Sequence, residues 1–124
     1  MIQPGSKLHI QDNSGARIVE CIRVLKKAGR NAGYFGDFAV VSVKSLRKKG
    51  RIKVKKKELC IALILKTSKE NFRRDGMSLK FSNNTCILLS KDFKSHGTRI
   101  FGSVREELRS SNFVKLLSIS SNYI

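Results

Sequence analysis

No apolar stretch among these 124 residues approaches the roughly 18 needed for a helical membrane span. The longest, residues 59–65, is stopped by Lys66, so a soluble protein, peripheral to a membrane at most, is expected. The opening Met-Ile-Gln-Pro-Gly-Ser-Lys-Leu-His-Ile has neither a secretory apolar core nor the arginine-rich length of an organelle presequence, and no imported precursor is expected. The cysteines, Cys21, Cys60 and Cys86, are odd in number, far apart, and each inside an apolar run. That pattern argues against a disulfide framework and for reduced core thiols in a reducing compartment. No cysteine pair has the short spacing of structural zinc, His9 and His96 stand far apart, and the adjacent Glu106 and Glu107 are explained by a helix start. Ser95 beside His96 in the chain is not the geometry of a nucleophile and its base. No enzyme, metal or cofactor is expected.

Negative charge is scarcest of all. Nine acids stand against 26 lysines and arginines, giving a formal charge of +17 and a pI near 10.4. With 40% hydrophobic residues the chain still carries enough apolar surface to offset the entropy of ordering, which excludes a fully disordered polycation. The length fits one compact domain, residues 1–124, without internal repeat or linker. A folded domain of this charge is suited to polyanions.

The apolar pattern is that of short strands, so the expected class is all-β. In residues 7–11, Leu8 and Ile10 share a face, and Asp12-Asn13-Ser14-Gly15 closes the strand with turn residues. Asp12 is expected to bond its own turn rather than to catalyse. In residues 17–25, strict alternation places Ile18, Glu20, Ile22 and Val24 on one side and Val19, Cys21, Arg23 and Leu25 on the other. Both faces are partly apolar, as in a closed barrel with something packed outside it. Residues 26–36 read as a glycine-bearing loop, residues 38–46 and 59–66 as strands, and residues 67–76 as a polar hairpin tip with short strands returning at 79–81 and 86–89. Ser103-Val104-Arg105-Glu106 fits a capping box opening a short helix, and a second is expected through Phe113, Leu116 and Leu117.

The strongest local signal lies in residues 44–57: nine basic residues, Lys44, Arg47, Lys48, Lys49, Arg51, Lys53, Lys55, Lys56 and Lys57, and not one acid. A solubilising face normally mixes signs, whereas this one repels itself and needs a counter-charge. Arg51, Lys53 and Lys55 alternate with Ile52 and Val54, as though one face gripped phosphates while the other packed on the body. Further basics sit in the connections: Lys26, Lys27 and Arg30; Lys69, Arg73 and Arg74; Lys91 and Lys94. Charge spread over several loops suits a structured RNA. Tyr34 and Phe35, in a basic loop, are candidates for stacking on a base, while Phe38, Phe81 and Phe101 are expected in the core.

Several segments together resemble one family over essentially the whole chain, the universal large-subunit ribosomal protein L-fourteen. They are Met1-Ile2-Gln3, Asp12-Asn13-Ser14-Gly15-Ala16-Arg17, Gly36-Asp37, and the stretch from Ala62 through Asp75-Gly76, Phe81, Asn84 and Leu88. Most specific is Gly97-Thr98-Arg99-Ile100-Phe101-Gly102, followed by Glu107-Leu108-Arg109. The resemblance implies a small five-stranded β-barrel with a projecting β-ribbon and short C-terminal helices, bound to large-subunit rRNA. It also implies an intersubunit bridge to small-subunit rRNA and, as neighbours, ribosomal proteins L-nineteen and L-three. With Arg17 from the matching motif, the expected RNA contacts are Arg17, Lys26, Lys27, Arg30, Lys44, Arg47, Lys48, Lys49, Arg51, Lys53, Lys55 and Lys56. The family's docking face for a ribosome silencing factor maps onto Thr98, Arg99, Lys115 and Ser118.

Departures concern which ribosome is served. Gly102-Ser103 stands where the family usually has Gly-Pro, Glu106 where it usually has a basic residue, and Arg73-Arg74-Asp75-Gly76 lacks a proline before the aspartate. The lean toward Lys, Ser, Ile, Leu and Asn, with one proline and no tryptophan, is that of an AT-rich genome. Synthesis inside a mitochondrion is the expectation, with a bacterial or plastid ribosome as the alternative. Two rival classes are a free single-strand-binding barrel, which leaves the residue 97–102 match unexplained, and a small hydrolase using His96, which lacks a matched base.

Overall fold

A computed structural model of the chain describes residues 2–25, 32–48, 50, 52–73, 75–105, 107 and 114–123. Five strands close a barrel in the order β1 (Lys7–Ile10), β2 (Ala16–Leu25), β3 (Phe38–Leu46), β4 (Leu59–Lys66) and β7 (Thr85–Leu89). The neighbours β1 to β4 and the β4–β7 pair run antiparallel. The barrel closes through a parallel pairing of β1 with β7, His9 opposite Thr85 and Ile10 opposite Cys86. Closure leaves no unpaired edge on this sheet.

The interior follows from alternation. Leu8 and Ile10, Val19 and Cys21, Ala39, Val41 and Val43, Ala62 and Ile64, and Cys86 and Leu88 point inward and form one apolar cluster. Cys21, Cys60 and Cys86 are free and buried, as expected. Burial raises all three thiol pKa values, Cys60 to about 11 with help from Glu58, so the thiols stay protonated and inert. At one end of the barrel Ile2 is fully buried and exchanges backbone hydrogen bonds of 2.8 and 2.6 Å with Gly33. A side chain at Gly33 would place its Cβ 2.8 Å from Ile64 Cδ1.

β4 and β7 are buried on both faces. Their outward residues Leu63, Leu65, Ile87 and Leu89 form a second cluster with Ile100, Val104 and Leu116. This is why residues 59–65 read as a continuous apolar run rather than an alternating one. The covering layer is made by β8 (Ile100–Val104), α1 (Val114–Ile119) and β9 (Ser120–Tyr123), with β8 and β9 paired in parallel. A short ribbon of β5 (Asn71–Phe72) and β6 (Ser78–Leu79) projects between β4 and β7.

Two local expectations are corrected. The alternation in residues 17–25 breaks at a register shift between Cys21 and Arg23, a β-bulge that turns Ile22 outward beside Arg23. Val24 thereby joins Val19 and Cys21 inside, while Arg23 and Leu25 are exposed. Ser103 and Val104, expected to open a helix, lie in β8. Ile100 and Val104, each 1% exposed, share a face at a spacing that a helix and a strand both permit, and the apolar outer wall of β4 and β7 selects the strand. Glu107, expected in that short helix, does lie in a turn of 3-10 helix, later than the capping box placed its start, and is paired with Arg105 at 3.2 Å and Arg73 at 2.7 Å. Burial pushes its carboxyl up, but the Arg105 hydrogen bond and the two guanidinium charges outweigh this and leave it below the usual range. The helix through Leu116 is present as α1; Phe113 and Glu106 lie outside the described residues.

The opposite burial of the neighbours Ile100 and Phe101 in β8 predicts a contrast that urea denaturation of the full chain measures. Ile100→Ala removes a side chain from the second cluster and should cost about 2–5 kcal/mol. Phe101→Ala, at a position 40% exposed, should cost about 1 kcal/mol or less.

Candidate nucleic-acid interface

The turn Asp12-Asn13-Ser14-Gly15 fixes the barrel's other end. Asp12, 1% exposed, accepts from the Ser14 amide and hydroxyl through Oδ1 at 3.1 and 2.6 Å, and from the Leu88 amide through Oδ2 at 3.2 Å. Its role is the turn-building one expected of it, extended by a cross-strand bond to β7. Gly15, at φ +99°, completes the turn in a conformation that disfavours side chains.

Asn13 carries this end into a second segment. Its Oδ1 accepts from the Thr98 and Arg99 amides at 2.8 and 3.3 Å, and its Nδ2 donates to Thr98 Oγ1 at 2.9 Å. The Phe101 amide donates to the Gln11 carbonyl at 2.7 Å. Approach this close needs Gly97, where a Cβ would stand 2.7 Å from Asn13 Oδ1 and 2.9 Å from Asp12 Cβ. The two segments quoted as family-like, around residues 12–17 and 97–102, are thus one docked unit.

The basic segment lies across the same end. Arg47 and Lys53 donate their amides to the Gly15 and Ser14 carbonyls, each at 2.8 Å, and Lys57 donates to Val43 at 2.7 Å. Val54, 3% exposed, inserts into the barrel core. No strand forms between Leu46 and Leu59 among the described residues, so the expected two-faced alternation is replaced by an irregular strap. Val54 packs as expected, whereas Ile52 is 47% exposed. Lys57 adopts φ +66°, which turns the strap back into β4.

Of the expected RNA contacts, Arg17, Lys44, Lys48, Lys53, Lys55 and Lys56 are exposed and Arg47 is half-buried. Lys44 sits apart on the barrel wall, 3.7 Å from Glu20. Lys26, Lys27, Arg30, Lys49 and Arg51 lie outside the described residues. Thr98 and Arg99 are exposed just before β8, and the pairing of Ile100 with Ser120 brings them toward the end of α1 that carries exposed Ser118. Lys115 is in α1, with its side chain outside the description.

Aromatic placement differs from expectation. Phe35 is covered by the buried Arg105 guanidinium, 4.3 Å from its ring centroid, and packs against the second cluster. Tyr34 is half-buried in a turn where its amide donates to Asp37 at 2.7 Å. Phe101, expected in the core, is exposed with the Arg47 guanidinium 5.3 Å from its ring centroid. The alternation Ile100 in, Phe101 out was the sequence signal for this, masked by the helical reading that follows it.

Asp12 supplies a test of this end. In Asp12→Asn, whichever way the amide is turned, one backbone N–H meets an NH2 group. The full chain should lose about 2 kcal/mol in urea denaturation, and Asp12→Ala, which orphans both buried amides, more.

Compared with known protein families, the whole of residues 1–124 matches the model described as Ribosomal protein L14p/L23e. With the closed barrel already in view, the match leaves one assignment: the chain belongs to the ribosomal protein L14p/L23e family and is a structural protein of the large ribosomal subunit.

Proposed function

We propose that residues 1–124 form a single rRNA-binding domain that scaffolds the large subunit without catalysing a reaction. The observation that carries this reading is the strap of residues 44–57. Nine like charges crowd this one segment, and among the described residues Arg47, Lys48, Lys53, Lys55, Lys56 and Lys57 belong to a strap held against one end of the barrel by three backbone hydrogen bonds and the buried Val54. Concentrating them costs repulsion that a bound polyanion removes, and counterion release then supplies affinity. Arg47, Lys48, Lys49, Arg51, Lys53, Lys55 and Lys56 act as the principal phosphate contacts, with Arg17, Lys26, Lys27, Arg30 and Lys44 extending the surface.

The face at Thr98, Arg99, Lys115 and Ser118 serves the intersubunit side. There the domain contributes to a bridge with small-subunit rRNA, and a silencing factor of the family's kind would dock. Ribosomal proteins L-nineteen and L-three are its neighbours on the large subunit. The proposed setting is the mitochondrial ribosome, on the base-composition argument, with a plastid or bacterial ribosome as the alternative.

Sedimentation of a native mitochondrial lysate through sucrose gradients at low and high salt tests the assignment. Comigration with large subunits that survives high salt is expected; migration at the top under both conditions overturns it. Binding of the purified chain to a large-subunit rRNA transcript tests the strap. Replacing Lys53, Lys55, Lys56 and Lys57 by glutamine should lower the slope of log affinity against log salt by about 3 if most of them contact phosphates. An unchanged slope removes them from the interface.

A further inference from the structure

We infer that the barrel end holds a pocket for a single extruded nucleotide, with its phosphate on Arg47 and Lys53 and its base on the Arg47–Phe101 platform. The inference rests on the rRNA-scaffold reading and goes beyond it, because a phosphate-gripping strap requires only a surface of positive charge. What the structure holds is a cavity of about 530 Å3, within the range of small-ligand sites. Three segments distant in sequence line it, and it is open to solvent on one side.

The chemistry of its walls divides into three parts. Arg47 and Lys53 supply the cations, and among the described residues the pocket lining contains no carboxylate. The nearby Asp12 is turned inward, with both oxygens engaged by Ser14 and Leu88. Lys53 Nζ donates once, to the His96 carbonyl at 3.1 Å, which positions the ammonium and leaves further N–H groups for an anion. The Arg47 guanidinium lies over the Phe101 ring, which stays 40% exposed, and the exposed part of this stack offers flat cationic and aromatic surface of the kind on which unstacked bases rest. Thr98 supplies a hydroxyl whose oxygen already accepts from Asn13, so its proton is free to be donated to a sugar or base edge.

Glycines keep the remaining wall open. Gly15 and Gly50 line the cavity at φ +99° and +100°, and a Cβ at Gly50 would meet nothing within 4 Å. An acidic side chain of a protein partner would use the two cations but would make no use of the exposed aromatic surface of Phe101. A nucleotide uses both, and that decides between them. Double-stranded RNA keeps its bases stacked and cannot offer one to Phe101, so the ligand is a nucleotide at a bulge, loop or strand end.

The full chain, isotope-labelled for amide NMR, is titrated with AMP, with UMP, with inorganic phosphate and with an Asp-Glu peptide. Saturable shifts at Gly15, Thr98 and Phe101 are expected, with the nucleotides about tenfold tighter than phosphate. Phe101→Leu should abolish that advantage while leaving phosphate binding in place, and Lys53→Gln should weaken nucleotide and phosphate alike. Equal affinity for nucleotides and phosphate, shifts located elsewhere, or tighter binding of the acidic peptide would each overturn the pocket. Retention of a large-subunit rRNA transcript, measured alongside, separates the two failures. A chain that binds the transcript but not AMP preferentially loses the pocket and keeps the scaffold reading, whereas loss of transcript binding counts against the scaffold itself.

Discussion

The interaction on which this end of the molecule depends is the inward carboxylate of Asp12. It closes its own turn through Ser14 and reaches β7 through the Leu88 amide. Because the turn is thereby fixed, Asn13 presents its amide in one orientation and captures the chain at Thr98 and Arg99. The carbonyls of Ser14 and Gly15 in the same turn receive Lys53 and Arg47. Four consecutive residues therefore orient the start of β2, the entry into β8 and the basic strap. A buried carboxylate is costly unless its oxygens are satisfied, and the bonds that satisfy this one fix the turn on which the interface is assembled.

Much of the fold was legible because barrels write themselves as alternation. β3 and β4 were read at residues 38–46 and 59–66, the bounds the structure gives them, β3 from its alternation and β4 from a short apolar run between lysines. The errors have a common cause. Alternation cannot reveal a residue that the chain inserts, so the bulge at Ile22 inverted the expected faces of Arg23 and Val24. Nor can a spacing of four between Ile100 and Val104 distinguish a helix turn from a strand, and the register shift between Ile100 and Ser103 is a second irregularity that alternation does not reveal. The outer wall of β4 and β7 decides that question, and it exists only after the barrel has formed.

The site divides in the same way. A run of like charge is a property of one segment, and residues 44–57 announced it. The pocket is a property of three segments meeting, and neither Phe101 nor Thr98 carries a sign of Arg47 in its own neighbourhood. Residues 12–15 were read as a turn and residues 97–102 as a family-like stretch, while their mutual docking through Asn13 was visible only in three dimensions. Phe35 shows the converse: an aromatic in a basic loop looked available for stacking, but Arg105 had already taken its face.

Holding cations on a rigid barrel end has a thermodynamic consequence for the free protein. A flexible basic tail would spread its charges apart and lose that freedom on binding, whereas the strap meets the repulsion during folding and has less left to lose. Salt then acts in opposite directions on the two equilibria. Screening relieves the crowding of cations and favours the free fold, while it removes the counterion-release advantage that favours the RNA complex. The three backbone anchors and Val54 are what make this arrangement tolerable, since apolar burial and hydrogen bonds inside the barrel are nearly indifferent to ionic strength. A fold whose cohesion is apolar and whose binding is electrostatic can remain assembled under conditions that release it from its partner.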